Sequence, residues 1–201
     1  MKTIPLIRNL EERNKVYSTQ ELKNLGFTHY SINKLLANRL IEKIKRGKYI
    51  FTNSELPDNL IVQQLIPSGI FCLHSAAFIY NYSTHVPFEF HVAIEKKEKY
   101  TLPDYPPIKL YYWKGPQYQL GVEIIKYDSH DIKVYSREKT VCDFIKFRSK
   151  QERAVVNQVI RNYLENQDRN LNKLHLYAEE LGIKTVLKQY LEVLLWKIQS
   201  Q

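Results

Sequence analysis

The stretch YSTQELKNLGFTHYSINKLLANRLIEKIKRGKYIF, Tyr17 to Phe51, decides how the first quarter of the chain folds. Ser18-Thr-Gln-Glu21 has capping-box spacing: a Ser hydroxyl and a Glu carboxylate three residues on can satisfy each other's free backbone N–H, opening a helix through Leu25. Gly26 follows as a left-handed stop. Thr28 can cap a second helix, on which Ile32, Leu35, Leu36 and Leu40 make one apolar stripe. Tyr30, Ser31, Lys34, Ala37 and Asn38 occupy the opposite side, with Asn33 on the flank. The β-prone runs Ile41 to Lys45 and Lys48 to Phe51 flank Arg46-Gly47, a hairpin in which Gly47 supplies positive φ.

Working toward the N-terminus, Leu6, Ile7 and Leu10 have helical spacing and predict a short helix over Ile4 to Asn14. Three helices followed by a basic hairpin form a winged helix-turn-helix, predicted over residues 1–55. Residues 1–52 hold eleven Lys and Arg against four acids, whereas the remaining 149 carry 19 against 17. Most of the formal net charge of +9 therefore sits on this head, the footprint of a polyanion binder. Helix 28–38 can enter a major groove of double-stranded DNA, while the preceding helix crosses the backbone and the hairpin reaches flanking phosphates. The candidate DNA-binding residues are Ser18, Thr19, Thr28, His29, Tyr30, Ser31, Asn33, Lys34, Asn38, Arg39, Lys45, Arg46 and Lys48. Of these, Tyr30, Asn33, Lys34 and Asn38 suit base edges and Lys45, Arg46 and Lys48 suit phosphates. The alternative is a winged helix used for protein contacts, with its charge merely solvated.

These residues resemble the AbiEi-type antitoxins of abortive-infection toxin–antitoxin systems. The resemblance runs through Tyr17 to Leu22, Gly26-Phe-Thr28, Leu35 to Ile41 and Lys45 to Tyr49. It continues at Leu73-His-Ser-Ala-Ala77, the apolar run Glu89 to Ile94, Gly121-Val122 and Ser136 to Asp143, in the expected order over most of the chain. Where many relatives carry Gly after the recognition helix, Asn38-Arg39 stand here, and Asn38 is expected to take the left-handed conformation. The resemblance implies a type IV antitoxin: the head binds operator DNA and represses its own operon, and the body counters a nucleotidyltransferase-like toxin without needing a stable complex with it.

The body, residues 56–201, is predicted as a mixed α/β domain with a helical C-terminal third, giving an α+β chain overall. Asp58 opens a short helix through Leu65, and Gly69 to Leu73 reads as a buried strand entering a helix over Ser75 to Tyr80. Further strands are expected at 89–94, 108–113, 121–125 and 132–135, then a helix capped by Ser136 and three amphipathic segments near 151–165, 171–181 and 184–198. The last presents Val186, Leu187, Tyr190, Leu191, Leu194 and Leu195, a face for core packing, a partner or a homodimer. Tyr111-Tyr-Trp113 could stack on bases, but strand alternation turns at least one ring inward.

With 44% hydrophobic and 25% charged residues the chain can bury a core. No apolar run approaches the roughly 20 residues of a membrane span. Charge interrupts the N-terminal apolar residues before a signal-peptide core could form, and Cys72 and Cys142 belong to no C-x-x-C pair, so a cytoplasmic protein with reduced core cysteines is expected. The six histidines form no zinc-binding pair, and the common phosphate-cradle and nucleophile-elbow motifs are missing, so no cofactor, metal or enzymatic activity is expected. Glu95-Lys-Lys97 is similar to the E-x-K half of a metal-dependent nuclease site, with Glu89 and Asp104 as incomplete acid partners. Asp143, a single Asp after Lys139-Thr-Val-Cys with no partner acid or base for catalysis, reads as a buried hydrogen-bond anchor. A plain repressor whose body senses a ligand is the other reading.

Overall fold

The computed structural model describes residues 14–127 and 130–199, with side chains of the last helix described as far as 192. The helix expected over Ile4 to Asn14 lies outside the described residues apart from Asn14 itself. The chain divides into two compact units: one holds the chain up to Pro67 together with Lys99–Ile108, the other Ser68–Glu98 together with Lys109 onward. The first unit thus takes in a helix and a returning segment beyond the boundary expected at residue 55.

In the first unit β1 (Tyr17–Ser18) runs into α1 (Thr19–Asn24), then α2 (His29–Ala37), β2 (Ile41–Lys45) and β3 (Lys48–Phe51). The capping box forms: Ser18 Oγ accepts from Glu21 N at 3.1 Å and Glu21 Oε2 accepts from Ser18 N at 2.8 Å. Gly26, at φ +91°, ends α1, and Phe27 N donates to Leu22 O three residues inside the helix. β3 lies between β1 and β2, both antiparallel to it, and Thr19 N donates to Gly47 O, so the hairpin turn is fastened to the start of α1. Leu22, Phe27, Ile32, Leu35, Ile41 and Phe51 close over Tyr17, whose ring meets Phe51 edge-on at 5.7 Å. The helical stripe is therefore buried as expected at Ile32 and Leu35, but Leu36 is half-buried and Leu40 is exposed just past the helix. α3 (Asp58–Leu65) joins this unit through Gln64, whose side-chain oxygen accepts from Val16 N.

The second unit is built on a five-stranded sheet of β4 (Ile70–Phe71), β5 (Phe90–Glu95), β6 (Ile108–Trp113), β7 (Val122–Tyr127) and β8 (His130–Tyr135) in the order β6-β5-β4-β8-β7. β4 is antiparallel to β5 and parallel to β8, so the sheet is mixed. α4 (Leu73–Ile79) follows β4 and α5 (Pro116–Gln119) follows β6. After β8 come α6 (Arg137–Lys146), α7 (Arg153–Glu165), α8 (Leu171–Glu180) and α9 (Lys184–Gln199). The chain is α+β, with a winged helix-turn-helix head, a mixed α/β body and a helical C-terminal part. Leu187 of α9 is buried, while Val186, Tyr190 and Leu191 are half-buried, so core packing claims part of that apolar face.

α6 is the centre of the body. Ser136 caps it, every residue from Glu138 to Ile145 is buried, and α4, α7, α8 and α9 all pack against it. A helix enclosed on all sides needs apolar side chains or paired polar ones. Here Lys139 and Asp143, one turn apart, form an ion pair with both side chains wholly buried: Nζ lies 2.6 and 2.8 Å from the two carboxylate oxygens. Gln117 Nε2 adds a third bond to Asp143 at 2.6 Å, and the Lys139 ammonium lies 4.2 Å from the Tyr135 ring centroid and 4.7 Å from that of Trp113. Burial pushes the Asp143 carboxyl up, against the pull of Lys139 and Gln117. Asp143 is thus the buried anchor expected of it. Gly121 lies against this cluster at φ +70°, where a Cβ would stand 2.8 Å from Lys139 Cβ and 3.0 Å from Ser136 Oγ.

Removing one partner strands a buried charge, whereas replacing both with apolar groups does not. Asp143→Ala is expected to lower the unfolding free energy by about 3–5 kcal/mol, and Lys139→Met with Asp143→Leu to recover most of that loss. Urea denaturation of the single and double variants measures both.

Candidate nucleic-acid interface

The apolar residues of α2 that close the head core fix which residues it shows to solvent. His29, Tyr30, Asn33, Lys34 and Asn38 are all exposed, Tyr30 at 78%, a large ring left in water. Among the described residues none of these side chains makes a hydrogen bond or ion pair within the protein. The groups suited to base edges are therefore uncommitted and share the outer side of one helix.

The hydroxyls of the expected set are engaged locally. Ser18 and Thr28 cap their helices, Thr28 Oγ1 accepting from Ser31 N at 3.2 Å, while Ser31 Oγ donates to Thr28 O at 2.9 Å. Ser18 retains its hydroxyl proton for a phosphate, whereas the Thr28 and Ser31 hydroxyls already donate at the helix start. Thr19 sits against the wing, its Oγ1 3.4 Å from the position of a Cβ on Gly47.

The structure departs from the sequence reading at two positions. Asn38 is not left-handed: its φ is −85°, and Arg39 takes the positive value, φ +54°. Two backbone bonds explain the shift, Arg39 N to Leu36 O and Leu40 N to Leu35 O, which place Arg39 at the left-handed position of a Schellman turn. Thr52 holds the loop by donating from Oγ1 to Arg39 O at 2.7 Å and from its amide to Leu40 O. The second departure is Lys45, expected at the hairpin tip: its Nζ donates to Thr101 O at 3.0 Å, and burial together with nearby Lys48 lowers its pKa. Arg46 stays exposed in the turn and Lys48 half-buried beside it, both without a protein partner among the described residues. Lys43, outside the expected set, is exposed on β2 and adds a further cation. The alternation of Lys43 with Ile44 in a short strand was the available signal.

Glu95 pairs with Lys97 at 3.0 Å, Glu89 pairs with Lys109 at 2.9 Å, and Asp104 belongs to the other compact unit. Among the described residues no group of three or more His, Cys, Asp or Glu could hold a metal ion, and no helix is long and apolar enough to cross a membrane. Cys72 and Cys142 are buried thiols, Cys142 pushed up to about 12 by desolvation.

Head and body together define a winged helix-turn-helix protein carrying a mixed α/β domain. The chain is similar in fold to the crystal structure of the RV2827C protein from Mycobacterium tuberculosis, with a TM-score of 0.61 over 86% of this chain and 69% of that one, at 12% identity. No family model and no curated protein matches the chain.

A left-handed Arg carries steric strain that glycine lacks. Arg39→Gly is expected to stabilise the fold by about 1 kcal/mol in thermal or urea unfolding while weakening DNA binding through loss of a cation. The Glu21 carboxyl is held down at about 2, first by its hydrogen bond from Lys15 and then by Ser18 N. Because the folded value lies below the ordinary 4.5, the stabilisation is complete above that pH and is lost as pH falls toward 2. Glu21→Gln is expected to flatten that acid limb in a series of thermal melts.

Proposed function

We propose that the protein is a cytoplasmic, sequence-specific binder of double-stranded DNA that represses its own operon. The observation that carries this reading is the exposed face of α2, where Tyr30, Asn33, Lys34 and Asn38 stand together without side-chain partners among the described residues. In this reading α2 enters the major groove, its Asn side chains and Lys34 meet base edges, and Arg39, Arg46 and Lys48 contact phosphates. The antitoxin role follows from the resemblance at Tyr17 to Tyr49, Leu73 to Ala77 and Ser136 to Asp143. The body then counters a nucleotidyltransferase-like toxin, and co-expression of such a toxin with and without this chain tests that half separately by growth.

The test of the DNA half is competition binding of the full chain to DNA from upstream of its own gene against excess scrambled duplex. Selective binding is expected, and equal weak binding to both duplexes overturns operator reading. If about six phosphates are neutralised, the log–log dependence of affinity on salt has a slope of about −5. Lys34→Ala is expected to relax base preference, whereas Arg46→Ala weakens binding to all duplexes alike. Unchanged preference in Lys34→Ala would reassign Lys34 to the backbone.

A further inference from the structure

The body holds a cavity of about 870 Å³, the size range of small-molecule sites, and the reading of the head does not use it. Its walls are aromatic. Trp113 lies flat on Phe147, with centroids 5.5 Å apart and planes 9° from parallel, Tyr111 stacks on His91, and Phe88, 89% exposed, is also part of the lining.

Two imidazoles supply the polar edge. The His91 side chain is nine-tenths buried, and Tyr111 OH lies 2.8 Å from its Nδ1. Desolvation pushes His91 down to about 3, so the ring is neutral at physiological pH. With the tyrosine proton directed at Nδ1, the ring proton sits on Nε2, 3.9 Å from Glu89 Oε1 and so beyond hydrogen-bond reach of it. His74 has the complementary arrangement. Its Nε2 donates to Gln151 Oε1 at 2.6 Å, burial lowers its pKa, and Nδ1 is left as an acceptor. The two ring centroids are 4.8 Å apart, and both residues line the cavity. The charges at the rim balance: Glu89 is paired with Lys109, and Lys150 is offset by Glu152. Such a lining has no net attraction for a phosphate or a polyanion.

We propose that this cavity binds a neutral, planar heteroaromatic molecule of nucleoside size, its ring against the aromatic walls and its donor–acceptor edge paired with His91 and His74. The site stands whether or not the head binds DNA. It gives the body a ligand of its own, and aromatic stacking supplies the affinity while the histidine pair supplies the selection.

Trp113 reports on the site directly. In the full chain carrying Trp196→Phe, Trp113 is the sole tryptophan, and its fluorescence is titrated with adenosine, guanosine, cytidine and uridine. At least one nucleoside is expected to give a saturable change with a Kd below about 1 mM. His91→Ala is expected to weaken it by at least about tenfold with an unchanged thermal melt. Should His91→Ala fail to fold, Phe88→Ala, an exposed position, is expected to weaken binding in its place. Absence of saturation by all four nucleosides overturns the proposal, as does binding that survives both substitutions. The nucleoside 5′-monophosphate binding about tenfold tighter than its nucleoside would make the site an anion site, and a single-stranded oligonucleotide doing so would make it a nucleic-acid groove; either result overturns the neutral-ligand assignment.

Discussion

Lys139 and Asp143 face each other across one turn of a helix that water does not reach, and the body is arranged around that fact. An unpaired charge at such depth is far more costly than any single apolar contact is worth. The pair therefore requires α5 to bring Gln117 to Asp143, β6 and β8 to bring Trp113 and Tyr135 over the ammonium, and Gly121 to pass without a side chain. Elements distant in the chain are bound to one another through two residues four positions apart. Leu73 to Ala77 and Gly121 both meet this helix.

The head follows a different economy. Its elements are short, and each is fixed by local hydrogen bonds: a capping box on α1, a Thr cap on α2, a Schellman turn after each helix and a two-residue hairpin turn. Its small core needs only one apolar side of each helix, which leaves the other side of α2 free to carry polar groups without structural duty. The resulting division of labour explains how one helix can both hold the head together and present Tyr30, Asn33, Lys34 and Asn38 outward. Arg39 sits where the two demands meet, in a backbone conformation that suits glycine but with a side chain that suits a polyanion.

The body cavity shows the same principle from the opposite direction. Its lining comes from α4, the loop before β5 and β5 itself, β6, and the segment from Phe147 to the start of α7, which are separated in the chain. His74 and His91 are 17 residues apart in sequence, on a helix and a strand, and neither belongs to a metal-binding spacing. Their pairing depends on the sheet carrying β5 back past the start of α4, where Ser75 Oγ accepts from His91 N at 2.8 Å.

The sequence by itself determined what short-range physics controls. Helix starts at Ser18, Thr28 and Ser136, the stop at Gly26, the hairpin at Arg46-Gly47, the order of strands and helices in the body and the concentration of charge on the head are all properties of a few adjacent residues or of counting. Tertiary structure alone decided what depends on residues meeting from far apart. It withdrew Lys45 to the Thr101 carbonyl, gathered Lys99–Ile108 into the first compact unit, and brought the His74 and His91 rings within 4.8 Å of each other. A capping box is completed within three residues, so its residues announce it; a buried ion pair's ring of partners or a cavity wall is completed only by the fold, and no local pattern encodes it.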